Sequence, residues 1–283
     1  MTHYRVYDVF TETAFGGNQL AVFPDASSLP TGSLQKIARE FNFSETAFVY
    51  PPEDPAHTAK VRIFTPTREI QFAGHPTVGT AVALANLGHT GPMTLELGIG
   101  PIPCEVSGNT ARFTTSAPLT IIATPEVDLV AAAIGLGVDA ISTKVHVPTQ
   151  ASLGLEFVFM ELTSRESLSA CQPDIDVFRA GAKRYPAGLD FAIFAYVRDK
   201  NHLDARMFAP LDAMPEDPAT GSACATITAL LSQIAGEPLT FNIHQGDDMG
   251  RPSRILAQAL PGDPHPIKIT GSAVLTMKGS FVG

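Results

Sequence analysis

Four polar side chains in this sequence could carry chemistry: Glu45, His75, Asp217 and Ser222. Glu45 stands between the expected end of a helix and an apolar strand. Burial among apolar neighbours would raise its pKa toward the range useful for proton transfer. The alternative, which position alone favours, is a glutamate on the surface. A buried Glu45 would predict general acid–base chemistry.

The other three residues stand where helices are expected to begin, and each also has an ordinary structural explanation. Asp217 could complement the dipole at a helix start or cap the helix, and Ser222 could be a cap. His75 could be a cap or a histidine whose hydrogen bonds are satisfied within the fold. These three residues therefore become strong candidates only in combination with Glu45.

Two runs of small and apolar residues predict the helices that must position these side chains. The helices are expected at 77–87 and 223–235, with Gly88 and Gly236 just beyond their ends. Glycine is common directly after a helix, because it adopts the left-handed conformation without strain.

The residues in front of each run predict an anion site. Pro76 suits the first helical position, so His75 is expected at the N-cap, and Gly221 with Ser222 is expected to open the second helix in the same way. Helix N-termini carry N–H groups without intrahelical partners and the positive end of the dipole. Two such ends facing each other, with Gly74 and Gly221 allowing close approach, would hold a small carboxylate.

Apolar periodicity predicts the remaining elements. Helices are expected at 31–41 and 127–134, and strands at 4–10, 21–23, 46–50, 61–65, 94–97, 103–106, 110–114, 155–162, 191–197 and 206–208. The order is a set of short strands, one helix of small residues, and then the same again. This order suggests an internal duplication, with the ligand site expected between the halves.

Composition narrows the class of protein. The chain has 283 residues, of which 45% are hydrophobic and 17% charged, as is typical of a globular protein. Its formal net charge of −9 argues against nucleic acid as a partner. The three cysteines, Cys104, Cys171 and Cys224, are widely spaced and favour a reducing compartment, although their roles stay open. No signal peptide or membrane-spanning segment is apparent, so a cytoplasmic location without a membrane partner is expected.

Several other chemistries lack their sequence patterns. The eight histidines are scattered and no metal-binding spacing occurs, so no metal site is expected. Gly98-Ile99-Gly100 has neither a third glycine nor a following helix, which excludes a dinucleotide loop. Ser222 is not in a nucleophile elbow. Cys224 lies about 200° around the helix from Ser222 and is expected to pack away from the site.

Motifs along nearly the whole chain resemble the PhzF-type isomerases of the phenazine-biosynthesis-like family, which share the diaminopimelate epimerase fold. The matching segments are Gly17-Asn18, Leu20-Ala21-Val22-Phe23, Ser44-Glu45, Phe64-Thr65-Pro66, Phe72-Ala73-Gly74-His75-Pro76, Arg206-Met207-Phe208, Glu216-Asp217-Pro218-Ala219-Thr220-Gly221-Ser222-Ala223, Gln245-Gly246 and Gly250-Arg251-Pro252-Ser253.

The resemblance implies an α+β fold of two pseudo-twofold-related domains, each a sheet rolled around a central helix. It places the N-terminal domain at 1–118, completed by a strand at 273–283, and the C-terminal domain at 119–272. It also implies a homodimer and no cofactor.

The resemblance further implies an isomerase acting on a small cyclic or amino carboxylate. In phenazine-pathway members the substrate is trans-2,3-dihydro-3-hydroxyanthranilate, and the glutamate matching Glu45 moves a proton between two ring carbons. The catalytic set carried over is Glu45, His75, Asp217 and Ser222. The substrate-binding set is Asn18, Gly74, Thr220 and Gly221.

Related epimerases carry a cysteine at the start of each central helix, where this chain has Ala73 and Thr220. Neither can act as a base, so a single carboxylate is expected to move the proton. The alternative function is a family member that works by binding a small molecule or a protein in a retained cleft.

Overall fold

The computed structural model describes residues 1–212 and 214–283. The chain divides into two compact units, residues 1–115 with 268–283 and residues 116–267. These bounds lie within a few residues of the expected domain limits. That each unit is a domain in its own right stays a prediction.

The first unit contains two helices, the first eight strands of the chain and the last strand. Its elements are β1 (Thr2–Val9), β2 (Asn18–Phe23), α1 (Thr31–Phe41), β3 (Glu45–Tyr50), β4 (Ala59–Phe64), β5 (Glu69–Ile70), α2 (Gly74–Ala85), β6 (Met93–Leu97), β7 (Gly100–Ser107) and β8 (Thr110–Thr115), and β18 (Ile267–Phe281) returns to it.

The strands of the first unit close into a barrel. β1 pairs with both β2 and β18, β2 pairs in parallel with β3, and β3 continues to β4. β4 pairs in parallel with β6, and β6, β7 and β8 form a meander that β18 joins to β1. Closure leaves no open edge in this ring of strands.

Helix α2 runs through this barrel. Every residue from Gly74 to Leu84 is buried, and the helix packs against β1, β2, β3, β6, β7 and β8. A helix that is apolar on all sides must be surrounded by protein. Its small residues suit this position, because they let the strands approach closely.

The second unit has the same kind of core and additional helices. Its elements are β9 (Thr120–Ala123), α3 (Val127–Ala133), β10 (Ile141–Ser142), β11 (Thr149–Ser152), β12 (Glu156–Leu162), α4 (Arg165–Ser169), α5 (Ile175–Arg184), β13 (Ile193–Asp199), β14 (His202–Ala209), β15 (Met214–Asp217), α6 (Gly221–Ala235), β16 (Thr240–Gln245) and β17 (Ser253–Ala259), with short 3-10 turns at Val138–Ala140 and Pro210–Asp212.

The largely buried helix α6 packs against β11, β16 and β17. α3 and α5 pack together over a cluster that includes Val158, Ile193 and Phe208. The predicted α+β fold, with a sheet around a central helix in each unit, is therefore confirmed.

Two details of the predicted helix starts are wrong. α2 begins at Gly74 with Ala73 as its N-cap, so His75 is the second helical residue and not a cap. α6 begins at Gly221 with Thr220 as its N-cap, so Ser222 is not a cap either. The first N–H groups of a helix need no intrahelical acceptor, so Pro76 fits the third position as well as the first.

Candidate active site

Three of the predicted site residues come together in the first unit. Asn18 begins β2, Glu45 begins β3 directly opposite Leu20 of β2, and His75 lies in the first turn of α2. The Nδ1 atom of His75 lies 3.3 Å from Oε2 of Glu45 and 3.4 Å from Nδ2 of Asn18. The starts of two parallel strands and one helix therefore hold a carboxyl, an imidazole and an amide in contact.

This group of side chains is buried. Glu45 is 9% exposed, His75 4% and Asn18 2%, so the surface alternative for Glu45 is excluded. The Nε2 atom of His75 is buried without a hydrogen-bond partner among the described residues. A buried polar atom of this kind costs free energy unless a ligand or water completes its bonding.

Burial also determines the charge of His75. It lowers the pKa of the imidazole to about 3, because desolvation penalises the charged ring more than the backbone of Gln19 favours it. His75 is therefore neutral near pH 7. A neutral imidazole has one N–H donor and one acceptor nitrogen, so it can donate one hydrogen bond while accepting another.

Two glycines bring these elements together. Gly17, with φ of 60°, precedes Asn18, and a Cβ there would lie 2.2 Å from the carbonyl oxygen of Val9. A Cβ on Gly79 would lie 2.6 Å from Cδ2 of Leu20 and 2.7 Å from Cγ2 of Val9. Only glycine at position 79 lets α2 lie this close to β1 and β2, one turn after His75.

The second unit contains the other predicted residues around the start of α6. Asp217 ends β15 and is 3% exposed, and its Oδ2 accepts a 2.6 Å hydrogen bond from the hydroxyl of Thr220. Asp217 is therefore not the N-cap of α6, but it holds the side chain of the N-cap residue, Thr220, in place. Gly221 is buried and Ser222 is half-buried in the first turn.

Gln245, at the end of β16, holds this arrangement together. Its Nε2 donates to the carbonyl of Asp217 at 2.7 Å and to the Thr220 hydroxyl at 3.0 Å, and its Oε1 accepts from the Thr220 amide at 3.1 Å. Gln245 is fully buried. In the sequence Gln245 appears only as part of the Gln245-Gly246 motif, and the structure assigns it to positioning Asp217 and Thr220.

Arg206 braces the strand that leads to Asp217. Its guanidinium makes two hydrogen bonds to Glu216, at 2.8 and 2.7 Å, and donates to the carbonyls of Leu168, Ser169 and Cys171. A planar guanidinium suits such simultaneous bonding of a carboxylate and several carbonyls. Arg206 therefore ties β15 to the end of α4 and to Cys171 just after it.

Both central helices begin without a capping side chain. Neither Ala73 nor Thr220 offers a side-chain acceptor to the first N–H groups of its helix. Ala73 and Thr220, which the motifs placed at equivalent positions, thus occupy the same N-cap position. Helix N-termini without a capping side chain favour the binding of an anion to their N–H groups.

The cysteines are not part of this chemistry. Cys104, Cys171 and Cys224 are buried, and burial raises the pKa of Cys104 and of Cys171 to about 12 and that of Cys224 further still. The expectation that Cys224 packs is confirmed, since it is fully buried. A thiol held protonated is a poor nucleophile and a poor base.

The chain belongs to the phenazine biosynthesis-like protein family, whose model matches residues 7–279. It is 39% identical over 270 residues to an uncharacterized isomerase of Mesorhizobium japonicum, with 89% of each chain covered. It is 34% identical over 266 residues to the trans-2,3-dihydro-3-hydroxyanthranilate isomerase of Pseudomonas aeruginosa, covering 92% and 91% of the two chains.

Among solved structures, a predicted epimerase of Pseudomonas aeruginosa superposes over the full length of both chains with a TM-score of 0.83 at 29% identity. The resemblance to the family, inferred from the motifs, is thus confirmed along almost the entire chain.

The described residues contain no helix long and apolar enough to cross a membrane.

Proposed function

We propose that this protein is an isomerase that moves a proton within a small cyclic or amino carboxylate. The observation that carries the proposal is the buried contact between Glu45 and His75, in which Nε2 of His75 has no partner among the described residues. The names of the relatives support isomerisation as the class of reaction.

In the proposed reaction Glu45 is both base and acid. Its carboxylate removes a proton from one carbon of the substrate, and the electron pair of that C–H bond enters the adjacent conjugated system. The resulting carboxylic acid then returns the proton to a different carbon. Substrate and product have the same composition, so the only proton that moves is one of the substrate's own, which Glu45 carries from one carbon to the other.

His75 is proposed to stabilise the intermediate as a neutral hydrogen-bonding group. Since its pKa is about 3, it is neutral near pH 7, and Nε2, which has no partner among the described residues, is proposed to hydrogen-bond the polar group of the substrate where charge changes. Asn18 is proposed to orient the imidazole, because its amide lies against Nδ1.

The substrate carboxylate is proposed to bind at helix starts. Gly74 and Gly221 are proposed to let the carboxylate approach the backbone closely. The first turns of α2 and α6, which have no capping side chain, are proposed to supply the N–H groups. Asp217 and Ser222 are proposed to bind a polar substituent of the same substrate, such as an amine, with Thr220 holding Asp217 in place. No metal or organic cofactor enters this scheme, and a homodimer is proposed by analogy within the family.

The proposal is tested by solvent exchange. Candidate carboxylates, beginning with trans-2,3-dihydro-3-hydroxyanthranilate and those that raise the melting temperature in a screen, are incubated with the protein in deuterium oxide. Isomerised product carrying deuterium at a new carbon is expected for a true substrate, unless the transferred proton is shielded from solvent. In that case isomerisation proceeds without the label. Carboxylates that bind but never isomerise or exchange would favour the binding function instead.

The absence of a cofactor from the scheme has its own test. Dialysis against a chelator is expected to leave turnover of an identified substrate unchanged. Activity that disappears on dialysis at an unchanged melting temperature, and returns only with added metal, would overturn this part of the proposal.

A further inference from the structure

Three side chains able to bind a metal lie together on β14 and β16 of the second unit, separate from the residues assigned above. His202 and Asp204 are two positions apart on β14 and therefore share a face of the strand. Asp204 stands directly opposite His244 in the parallel pairing of β14 with β16. Regular strand geometry thus places two imidazoles and one carboxylate side by side.

The distances suit a small cation. One ligand atom from each side chain lies within 4.8 Å of the others, and Nε2 of His202 is 3.2 Å from Oδ1 of Asp204. Ligands of a tetrahedral zinc ion lie about 3.4 Å from one another, given metal–ligand bonds of about 2.0–2.1 Å. The His202–Asp204 pair already meets this spacing, and the ligand atom of His244, within 4.8 Å of the other two, would have to move closer on binding.

Two arginines stand beside the cluster, and each makes its shorter ion pair with another carboxylate. Arg165 lies nearer to Asp248, at 2.9 Å, than to Asp204, at 4.0 Å. Arg254, opposite His244 on β17, makes its ion pair with Asp247. The side chains of His202 and Asp204 are 36% and 30% exposed, so an ion can enter and water can complete its coordination.

We propose that His202, Asp204 and His244 form a structural site for a divalent transition-metal ion of the zinc, cobalt or nickel class. Two imidazoles and a carboxylate are the ligands these ions accept, and calcium and magnesium prefer oxygen alone. The ion would clip β14 to β16 at the residue before Gln245, whose side chain lies on the buried side of the same strand.

This site has no signature in the sequence, because His202 and His244 are 42 positions apart (244 − 202) and match no short metal-binding spacing. The scatter of the histidines along the chain does not exclude a metal site here, because strand pairing brings His202 and His244 into contact, with ring centroids 4.2 Å apart.

The test uses cobalt ions and the untagged full chain stripped of metal. Titration with Co²⁺ is expected to produce visible d–d absorption and to raise the melting temperature by about 2 °C or more at saturation. His244→Asn and His202→Asn are each expected to weaken Co²⁺ binding at least about tenfold, since even an outer partner of a metal ligand is worth that much.

His57→Asn is the matched control. His57 also contacts a carboxylate, with its Nδ1 2.9 Å from Glu96, but lies in the first unit and outside the cluster. It is expected to leave the cobalt affinity unchanged. Absence of d–d absorption in the wild type, or cobalt affinity in His202→Asn and His244→Asn equal to that of the wild type, would overturn the proposal. Neither readout involves turnover, so this test is independent of the isomerase assignment.

Discussion

The Nδ1 atom of His75 lies 3.3 Å from Oε2 of Glu45, and both side chains are buried at the starts of α2 and β3. This contact joins the residue proposed to move the proton to a neutral imidazole. Two separate predictions follow from it, one for the role of Glu45 in catalysis and one for the effect of His75 on the pH dependence of stability.

Glu45→Gln is expected to reduce turnover by roughly a hundredfold or more, because glutamine keeps the shape of the side chain but cannot take up a proton. Turnover is measured on a substrate identified by the exchange experiment. Glu40→Gln, at an exposed position of α1, is the control and is expected to retain wild-type activity. Near wild-type turnover of Glu45→Gln would remove Glu45 from the proton-transfer step.

His75 is expected to make folding less stable as the pH falls. Its pKa is about 3 in the folded protein and near 6.5 in the unfolded chain, so between these values the unfolded state binds more protons. The contribution is complete above about pH 6.5 and is lost on acidification toward pH 3, by up to about 1.4 kcal/mol per pH unit.

Urea unfolding at several pH values within that window measures this slope. His75→Gln cannot titrate and is expected to show a correspondingly shallower dependence, whatever its absolute stability. Equal slopes for the two proteins would mean that His75 keeps an ordinary pKa and is not held neutral by burial.

The elements around this contact were predictable to differing degrees. The amphipathic spacing of Leu34, Ile37 and Ala38 predicted α1 with its observed limits, because one apolar face against a core leaves a clear periodic signal. The start of α2 was misplaced, because the first N–H groups of a helix are not bonded within it and Pro76 is therefore compatible with more than one position.

Helix α5 was missed although its sequence carried a signal. Asp174 caps it by accepting hydrogen bonds from the amides of Asp176 and Val177, and Lys183 with Arg184 stands in its last turn. These are the charges that stabilise the two ends of a helix. Only two of its ten residues, Phe178 and Gly181, are buried, although its apolar residues recur at helical spacing nearly as clearly as those of α1.

The candidate site was predicted as a set of residues but not as a network. Motifs singled out Asp217 and Thr220, whereas the bonds from Gln245 depend on how β16 ends beside them. Contacts between residues distant in sequence arise from strand pairing, which local patterns do not specify. The same limit applies to His202 and His244.

Asp217→Asn is expected to lower turnover at least about tenfold while leaving stability nearly unchanged. Asparagine keeps an oxygen that can accept the hydrogen bond of Thr220, but it loses the charge proposed to bind the substrate. Gln245→Leu is the structural comparison. It removes the bonds to Asp217 and Thr220 and is expected to cost about 1–3 kcal/mol of stability, as buried polar groups lose their partners.

Chemical denaturation and turnover per folded molecule separate the two effects. If Asp217→Asn were as unstable as Gln245→Leu yet turned over normally when folded, Asp217 would serve only to hold the helix start.

The three cysteines are expected to resist alkylation in the folded protein. Burial raises the pKa of Cys104 and of Cys171 to about 12, and all three thiols are buried. Iodoacetamide near neutral pH is therefore expected to add no mass to the native chain and three adducts after denaturation. Rapid modification of one thiol in the native protein, with loss of activity, would reopen a cysteine-based mechanism.

Gly79 is expected to be intolerant of even one added methyl group. A Cβ there would come within 2.6 Å of Leu20 and 2.7 Å of Val9, and both side chains are fully buried. Gly79→Ala should therefore cost about 1–3 kcal/mol of unfolding free energy, as overpacking of a core does. Because Gly79 lies one turn after His75, displacement of α2 should also reduce turnover per folded molecule.

Gly32→Ala is the matched control for Gly79→Ala. Gly32 also lies in a helix, α1, but a Cβ there would meet no atom within 4 Å. Since alanine favours helices over glycine by up to about 1 kcal/mol, this variant is expected to be as stable as the wild type or slightly more so. Unfolding of both variants in urea checks the contrast. Equal stabilities for the two would mean that β1 and β2 can yield to α2 and accommodate the added methyl group.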